Sequence, residues 1–293
     1  MIKKGIYAAS LSILNDNLSL NIEATISHAA SSISKGLHGV FFFGSTGQSQ
    51  LISISEKKEF ISRIASHKLR KQFFLGTGCN SLKENIDLIK YAMEYGFNDF
   101  LIMPPAYYKY GDKEVIEFYS KIAEAIPESE IILYNFEKLC GYKFSIECVE
   151  KLVSKYPNNI VGVKDSSYNL FENLKINNFS VLPGSESKLL KGLQLGCSGI
   201  ITATCNATSE LARKVYDDFQ NGNEQKANQK LCDVRSAFEK YNLISGLHTY
   251  FGKNNSSYKN LLPPLSILNS GEAEELNTNL EKLNFSTESS QAA

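Results

Sequence analysis

Four stretches of this 293-residue chain carry side chains capable of catalysis. In Asn159-Ile-Val-Gly-Val-Lys-Asp-Ser-Ser167, Lys164 closes a short apolar, β-branched run. Such a run reads as a buried strand, and a lysine carried by it loses solvation, which disfavours its charged form. A neutral amine attacks ketones to give a Schiff base, so Lys164 is a candidate covalent catalyst. Taken alone, the segment favours a strand-end lysine that reaches water or pairs with Asp165, since lysines are rarely buried. The run Val40-Phe-Phe-Phe43 leads into Gly44-Ser-Thr-Gly-Gln48. Two glycines flanking two hydroxyl residues let backbone N–H groups converge on a carboxylate or phosphate, or simply make a turn. Ile131-Ile-Leu133 ends at Tyr134-Asn135, where a phenol can relay protons or cap a core. Pro104-Pro-Ala-Tyr-Tyr108 can shape a pocket or an interface.

The elements that must position these groups alternate along the chain. Eight short apolar runs read as strands: Ile6–Leu11, Gly39–Phe43, Phe73–Thr77, Phe100–Met103, Ile131–Tyr134, Ile160–Lys164, Ser180–Pro183 and Gly199–Thr202. The intervening segments are long enough for crossover helices. Two show helical stripes, Leu82/Ile86/Ile89/Met93 and Val115/Tyr119/Ile122/Ile126. Ser53-x-x-Glu56 and Ser81-x-x-Glu84 read as capping boxes. Eight β units, each followed by a helix, describe a (β/α)8 TIM barrel with its chemistry in loops at the C-terminal strand ends. A doubly wound sheet is the rival, but no GxGxxG follows the first strand. The barrel is expected over residues 1–225, a C-terminal helical appendage over 226–285, and a disordered tail over 286–293. With all of these loops opening onto one barrel face, the amine, the phenol and the hydroxyl cradle form the set that imine chemistry on a 2-oxo acid needs.

Composition removes other classes. Lys plus Arg equals Asp plus Glu at 31 each, so nucleic-acid or membrane-surface binding has no electrostatic support. No signal-peptide core follows Lys3 and Lys4, and no stretch is long enough to span a bilayer, which points to a cytoplasmic protein. The six cysteines lack CxxC spacing and the four histidines are isolated, so neither a metal site nor a Ser-His-Asp arrangement is visible.

Together these motifs resemble the pyruvate-dependent class I aldolases typified by dihydrodipicolinate synthase and N-acetylneuraminate lyase. The resemblance covers nearly the whole chain and rests on Gly44-Ser-Thr-Gly47, Gly76-Thr-Gly-Cys-Asn80, Tyr134-Asn135 followed by Gly141, Gly162-Val-Lys-Asp-Ser166, and Gly184. It implies Lys164 as the Schiff-base lysine and Tyr134 as the proton shuttle, with no cofactor. It implies that Ser45, Thr46 and Gly47 bind the pyruvate carboxylate, with Thr46 also linked to the Tyr134 hydroxyl. Tyr107 matches a tyrosine that enters a neighbouring subunit's site, so a homotetramer built from dimers is implied.

The second substrate depends on departures from the family's patterns. Where the lysine-biosynthetic synthases carry an arginine for the aldehyde's carboxylate, this chain has Leu139, which cannot offer a charged fork. The adjacent Lys138 would tend to point elsewhere. The sialic acid lyases share that leucine and present two acidic residues after strand seven. Here the pair is Glu186 and Ser187, and a serine after strand eight is matched by Ala203. Leu139, Glu186 and Thr202 are therefore expected to line the second half of the site. The leading expectation is a lyase joining or releasing pyruvate and an aldehyde through a 2-keto-3-deoxy acid. The alternatives are 4-hydroxy-tetrahydrodipicolinate synthase and a non-catalytic 2-oxo acid binder.

Overall fold

The computed structural model describes residues 3–285. The tail expected over 286–293 lies outside the described residues. Strands β1 (Gly5–Ala9), β2 (Gly39–Phe42), β3 (Phe73–Gly76), β4 (Asp99–Ile102), β5 (Glu130–Asn135), β6 (Ile160–Asp165), β7 (Ser180–Pro183) and β8 (Gly199–Thr202) form one parallel sheet. Its order is β7-β6-β5-β4-β3-β2-β1-β8. The gap between β7 and β8 is bridged by the Ser198 N–H, which donates to the Val181 carbonyl at 2.9 Å. The result is a nearly closed TIM barrel.

Helices α1 (Ile22–Ser34), α2 (Ile54–Ile64), α3 (Leu82–Glu94), α4 (Asp112–Ala125), the short α5 (Glu137–Cys140), α6 (Ile146–Lys155), α7 (Leu189–Gln194) and α8 (Cys205–Gln220) surround the strands. Three more follow: α9 (Asn228–Glu239), α10 (Leu243–Gly252) and α11 (Ser270–Lys282). Among the described residues no helix is long and apolar enough to cross a membrane.

Alternation along the strands sorts the core into two layers. Tyr7, Phe41, Leu101, Ile132, Leu182 and Ile201 fill the barrel interior. Their neighbours Ile6, Val40, Phe42, Phe100, Ile131 and Ile200 pack outward beneath the helices. A third cluster, with Val234, Phe238, Leu247 and Leu276, joins α9–α11 to Leu11 and Ile13 just after β1. The C-terminal helices thus sit against the mouth of the barrel.

Two helical expectations need correction. The buried face of α3 is Asn85, Leu88, Ile89 and Ala92, while Leu82, Ile86 and Met93 lie at its edge. The face is rotated because Asn85 turns inward and donates to the Cys79 and Ser81 carbonyls at 3.0 and 2.8 Å. No helix follows β6, where residues 166–179 form turns. There the Asp165 carboxylate accepts the N–H groups of Tyr168, Leu170 and Phe171 at 2.9 Å each, winding the chain around itself. By contrast the α4 stripe of Val115, Tyr119, Ile122 and Ile126 is buried throughout. The Ser53/Glu56 capping box forms in full.

Candidate active site

Lys164 points into the barrel because β6 breaks its own alternation. Ile131 pairs with Ile160, yet the next residue of β5, Ile132, pairs with Gly162. Two residues of β6 therefore oppose a single step of β5, which is a β-bulge. Val161 belongs to the interior cluster and Val163 to the outer one. An unbroken strand that began with Val161 inward would have turned Lys164 out toward the helices. The bulge reverses the parity and sets Lys164 directly beside Tyr134 in the β5–β6 register. Gly162 makes this packing feasible: a Cβ there would lie 2.8 Å from the Ser180 carbonyl oxygen on β7. Gly162→Ala is therefore expected to shift β6 and misplace the amine, lowering kcat by about 10²-fold, the size of effect that a 1 Å displacement causes. Turnover measured beside circular dichroism checks this, the variant remaining folded.

The Lys164 side chain is enclosed, with the residue 3% exposed. Its Nζ lies 4.1 Å from the centroid of the Tyr134 ring and makes no hydrogen bond or ion pair to another described residue. A second buried lysine shows the contrast. Lys57 on α2, 1% exposed, donates to the Thr77 and Gly78 carbonyls at 2.8 and 3.3 Å and approaches the Cys79 sulfur. Burial lowers its pKa, but its ammonium is taken up in bracing the loop after β3. Burial alone does not distinguish the two amines; only Lys164 is left without a hydrogen-bond acceptor.

Tyr134 is held by its ring and by its hydroxyl. The hydroxyl shares a 2.9 Å hydrogen bond with Ser45 Oγ. The expected link to Thr46 is thus made by the preceding residue. The chain reverses at Phe43, whose φ is 56°, and enters a 3-10 turn over Ser45–Gly47 that presents Ser45 to β5. Thr46 is buried and has no hydrogen-bond partner among the described residues. The Gly47 N–H, expected in the anion cradle, instead donates to the Gly44 carbonyl at 3.1 Å, and the Gln48 N–H closes the same turn on Ser45. The Gly47 carbonyl accepts from Ser12 Oγ at 2.7 Å. Thr46 is the member of the loop left open to an anion.

Next to Lys164, Asp165 is buried and takes four hydrogen bonds, the fourth from Asn135 Nδ2 at 2.8 Å. Burial raises its pKa above the ordinary carboxylate value, opposed by these donors. Its carboxylate organises the loop and makes no ion pair with the neighbouring lysine.

The second half of the site differs more from expectation. Glu186 is fully enclosed; its oxygens accept from Thr202 Oγ1 at 2.8 Å and Thr208 Oγ1 at 3.2 Å and pair with Arg235 Nη1 at 3.2 Å. Thr202 shares the strand face of Ile200, which packs outward, so its hydroxyl meets Glu186 rather than the barrel interior. Both residues expected to contact substrate are instead bound to the protein. Arg235, which sequence reasoning missed, holds them. It lies in a helix 49 positions from Glu186, and nothing local marks it. Leu139 on α5 stays 44% exposed. Tyr107 is 90% exposed at a φ of 87°, a strained conformation for a bulky residue, and its ring meets Tyr108 edge-on.

Comparison with known proteins bears on this arrangement. The 4-hydroxy-tetrahydrodipicolinate synthase of Methanopyrus kandleri is 30% identical over 233 residues, covering 77% of each chain. The 2-dehydro-3-deoxy-D-gluconate/2-dehydro-3-deoxy-phosphogluconate aldolase of Picrophilus torridus is 27% identical over 234 residues, covering 77% of this chain and 86% of that one. The fold matches YagE, a prophage protein from E. coli K12 solved in complex with pyruvate, with a TM-score of 0.88 at 24% identity, over 97% of this chain and 100% of that one. The sequence profile of the Dihydrodipicolinate synthetase family matches residues 3–283. The chain belongs to that family, whose members are lyases and aldolases.

Proposed function

We propose that this enzyme forms a Schiff base with pyruvate and reversibly cleaves a 2-keto-3-deoxy sugar acid into pyruvate and an aldehyde, with no cofactor beyond the imine. The observation that carries the reading is the Lys164–Tyr134 pair: an enclosed amine free of hydrogen-bond acceptors, beside a tyrosine whose hydroxyl is already bridged to Ser45. In cleavage, Lys164 Nζ adds to the C2 carbonyl, and loss of water leaves the protonated imine. Tyr134 takes the proton of the C4 hydroxyl and relays it through Ser45. The C3–C4 electron pair flows into the imine, the aldehyde departs, and an enamine remains. Protonation at C3 and hydrolysis release pyruvate and free Lys164. Thr46 holds the substrate carboxylate throughout.

The sugar-acid assignment is supported by the missing charges. Leu139 offers no fork for a second carboxylate, and the buried Arg235 is taken up by Glu186 and Glu239. Ser166 and Ser167 after β6 and the exposed Ser187 after β7 supply hydroxyls at the strand ends instead. The aldolase name of the Picrophilus torridus relative agrees with this assignment. Exposed, strained Tyr107 supports a homotetramer in which that residue reaches a neighbouring subunit's site, and the reading places the enzyme in the cytoplasm.

A panel of aldehydes and keto-deoxy acids, assayed in both directions with pyruvate, tests the assignment. Cleavage of a six-carbon 2-keto-3-deoxy acid is the expected result. Turnover of aspartate semialdehyde in a coupled reduction would establish the synthase alternative. Tight 2-oxo acid binding with no turnover on any member would identify a non-catalytic binder.

A further inference from the structure

Arg235 is a buried cation supplied to the barrel mouth from outside the barrel. Its Nη1 donates to Glu186 Oε2 at 3.2 Å, to Thr202 Oγ1 at 3.0 Å and to Thr204 Oγ1 at 3.0 Å, while its Nε donates to Glu239 at 2.7 Å. Its partners lie on the turn after β7, the end of β8 and the start of α8, so one guanidinium ties three segments to α9. The Arg235 side chain is 5% exposed and that of Glu186 is 0% exposed. Stability does not account for such a pair, because a well-packed apolar pair in its place is often neutral or stabilising. A rigid planar fork with several acceptors is instead suited to fixing geometry.

We propose that Glu186 and Arg235 are positioning residues for the acceptor half of the site, and that the C-terminal helical region is thereby a working part of the catalytic unit. Glu186 follows Ser185, whose hydroxyl bonds to Ser187 at 3.0 Å, so the clamp on Glu186 fixes the loop that carries both serines. Thr202, held by the same fork, fixes the end of β8. The same C-terminal region reaches the pyruvate side independently, where the Leu262 N–H donates to Gln48 Oε1 at 2.8 Å beside the Ser45–Gly47 turn. Docking of α9 thus sets the spacing of the loops that receive the aldehyde.

This inference rests on the proposed lyase function, and the test separates the two. The probes are pyruvate and D-glyceraldehyde, the fragments of a six-carbon keto-deoxy acid, used with wild type, Arg235→Lys, Arg235→Met and the double variant Glu186→Leu/Arg235→Met. Borohydride trapping of pyruvate on wild-type Lys164 reports on the lyase reading; the ratio of variant to wild type reports on the clamp. Arg235→Met leaves Glu186 buried and unpaired and is expected to melt earlier, while the double variant recovers the wild-type Tm. The double variant is expected to trap pyruvate like wild type, yet to show a KM for D-glyceraldehyde raised at least about tenfold, with kcat changed less. Arg235→Lys, which keeps the charge but loses the fork, should fall between. A double variant with wild-type KM for the aldehyde would overturn the proposal, leaving the pair a structural tie. Loss of pyruvate trapping in that variant would overturn it as well, since the clamp would then act on the whole site. If the double variant does not fold, Arg235→Lys decides alone: a raised aldehyde KM with normal trapping supports the clamp, and an unchanged one refutes it.

Discussion

Lys164→Ala is expected to lower turnover by at least about 10⁴-fold, about 5 kcal/mol of barrier, while leaving the fold intact. Without the imine, the C3–C4 pair has only a ketone to flow into, and Lys57, the other buried lysine among the described residues, is not free to replace it. Its ammonium is committed to the Thr77 and Gly78 carbonyls. The cost to stability should be small. Lys164 has no acceptor to leave unsatisfied, and the lost contact is its stacking over the Tyr134 ring, worth about 1–2 kcal/mol. Pyruvate release measured beside a thermal melt separates the two effects. An alanine variant with more than a few per cent of wild-type turnover would be incompatible with Lys164 as the nucleophile.

Tyr134→Phe is expected to reduce kcat by about 10²- to 10³-fold, within the range for a removed general acid–base group. The ring, its packing in the barrel and its contact with the amine remain, so only the hydroxyl and its 2.9 Å bond to Ser45 are lost. Pyruvate should still be trapped on Lys164, more slowly. The corrected hydrogen bonding sharpens this prediction. Ser45→Ala should depress kcat by about tenfold, consistent with loss of one relay hydrogen bond. Thr46→Val should instead raise the KM for pyruvate, because Thr46 is the unpartnered member of the loop. Reversal of these two phenotypes in steady-state kinetics would put the relay back on Thr46.

The strands were legible because each is a short apolar run, most of them rich in β-branched or aromatic residues, closed by a glycine, proline or polar residue, and the catalytic candidates stand at those closures. Reading that face as one site needed only the parallel topology. What sequence periodicity could not supply was any feature set by a distant partner. The bulge at Val161 and Gly162 depends on how β6 meets β5 and β7, yet it alone decides whether Lys164 faces in or out. The helix missing after β6 is displaced by one carboxylate, Asp165, folding the chain onto itself. The α3 face turned on a single buried asparagine. Glu186 and Thr202 were correctly drawn to the strand-seven and strand-eight ends, but their partner Arg235 lies in a helix that offered no catalytic pattern. An exposed acid and a buried, paired one have the same sequence signature.

The central claim, that Lys164 carries pyruvate as an imine, is tested most directly by borohydride reduction of the enzyme in the presence of pyruvate, followed by peptide mass spectrometry. The account predicts one reduced pyruvyl adduct per chain, located on the peptide containing Lys164, absent without pyruvate and absent from Lys164→Ala. An unmodified Lys164 under conditions that label a known class I aldolase, or an adduct found on Lys57 instead, would contradict it.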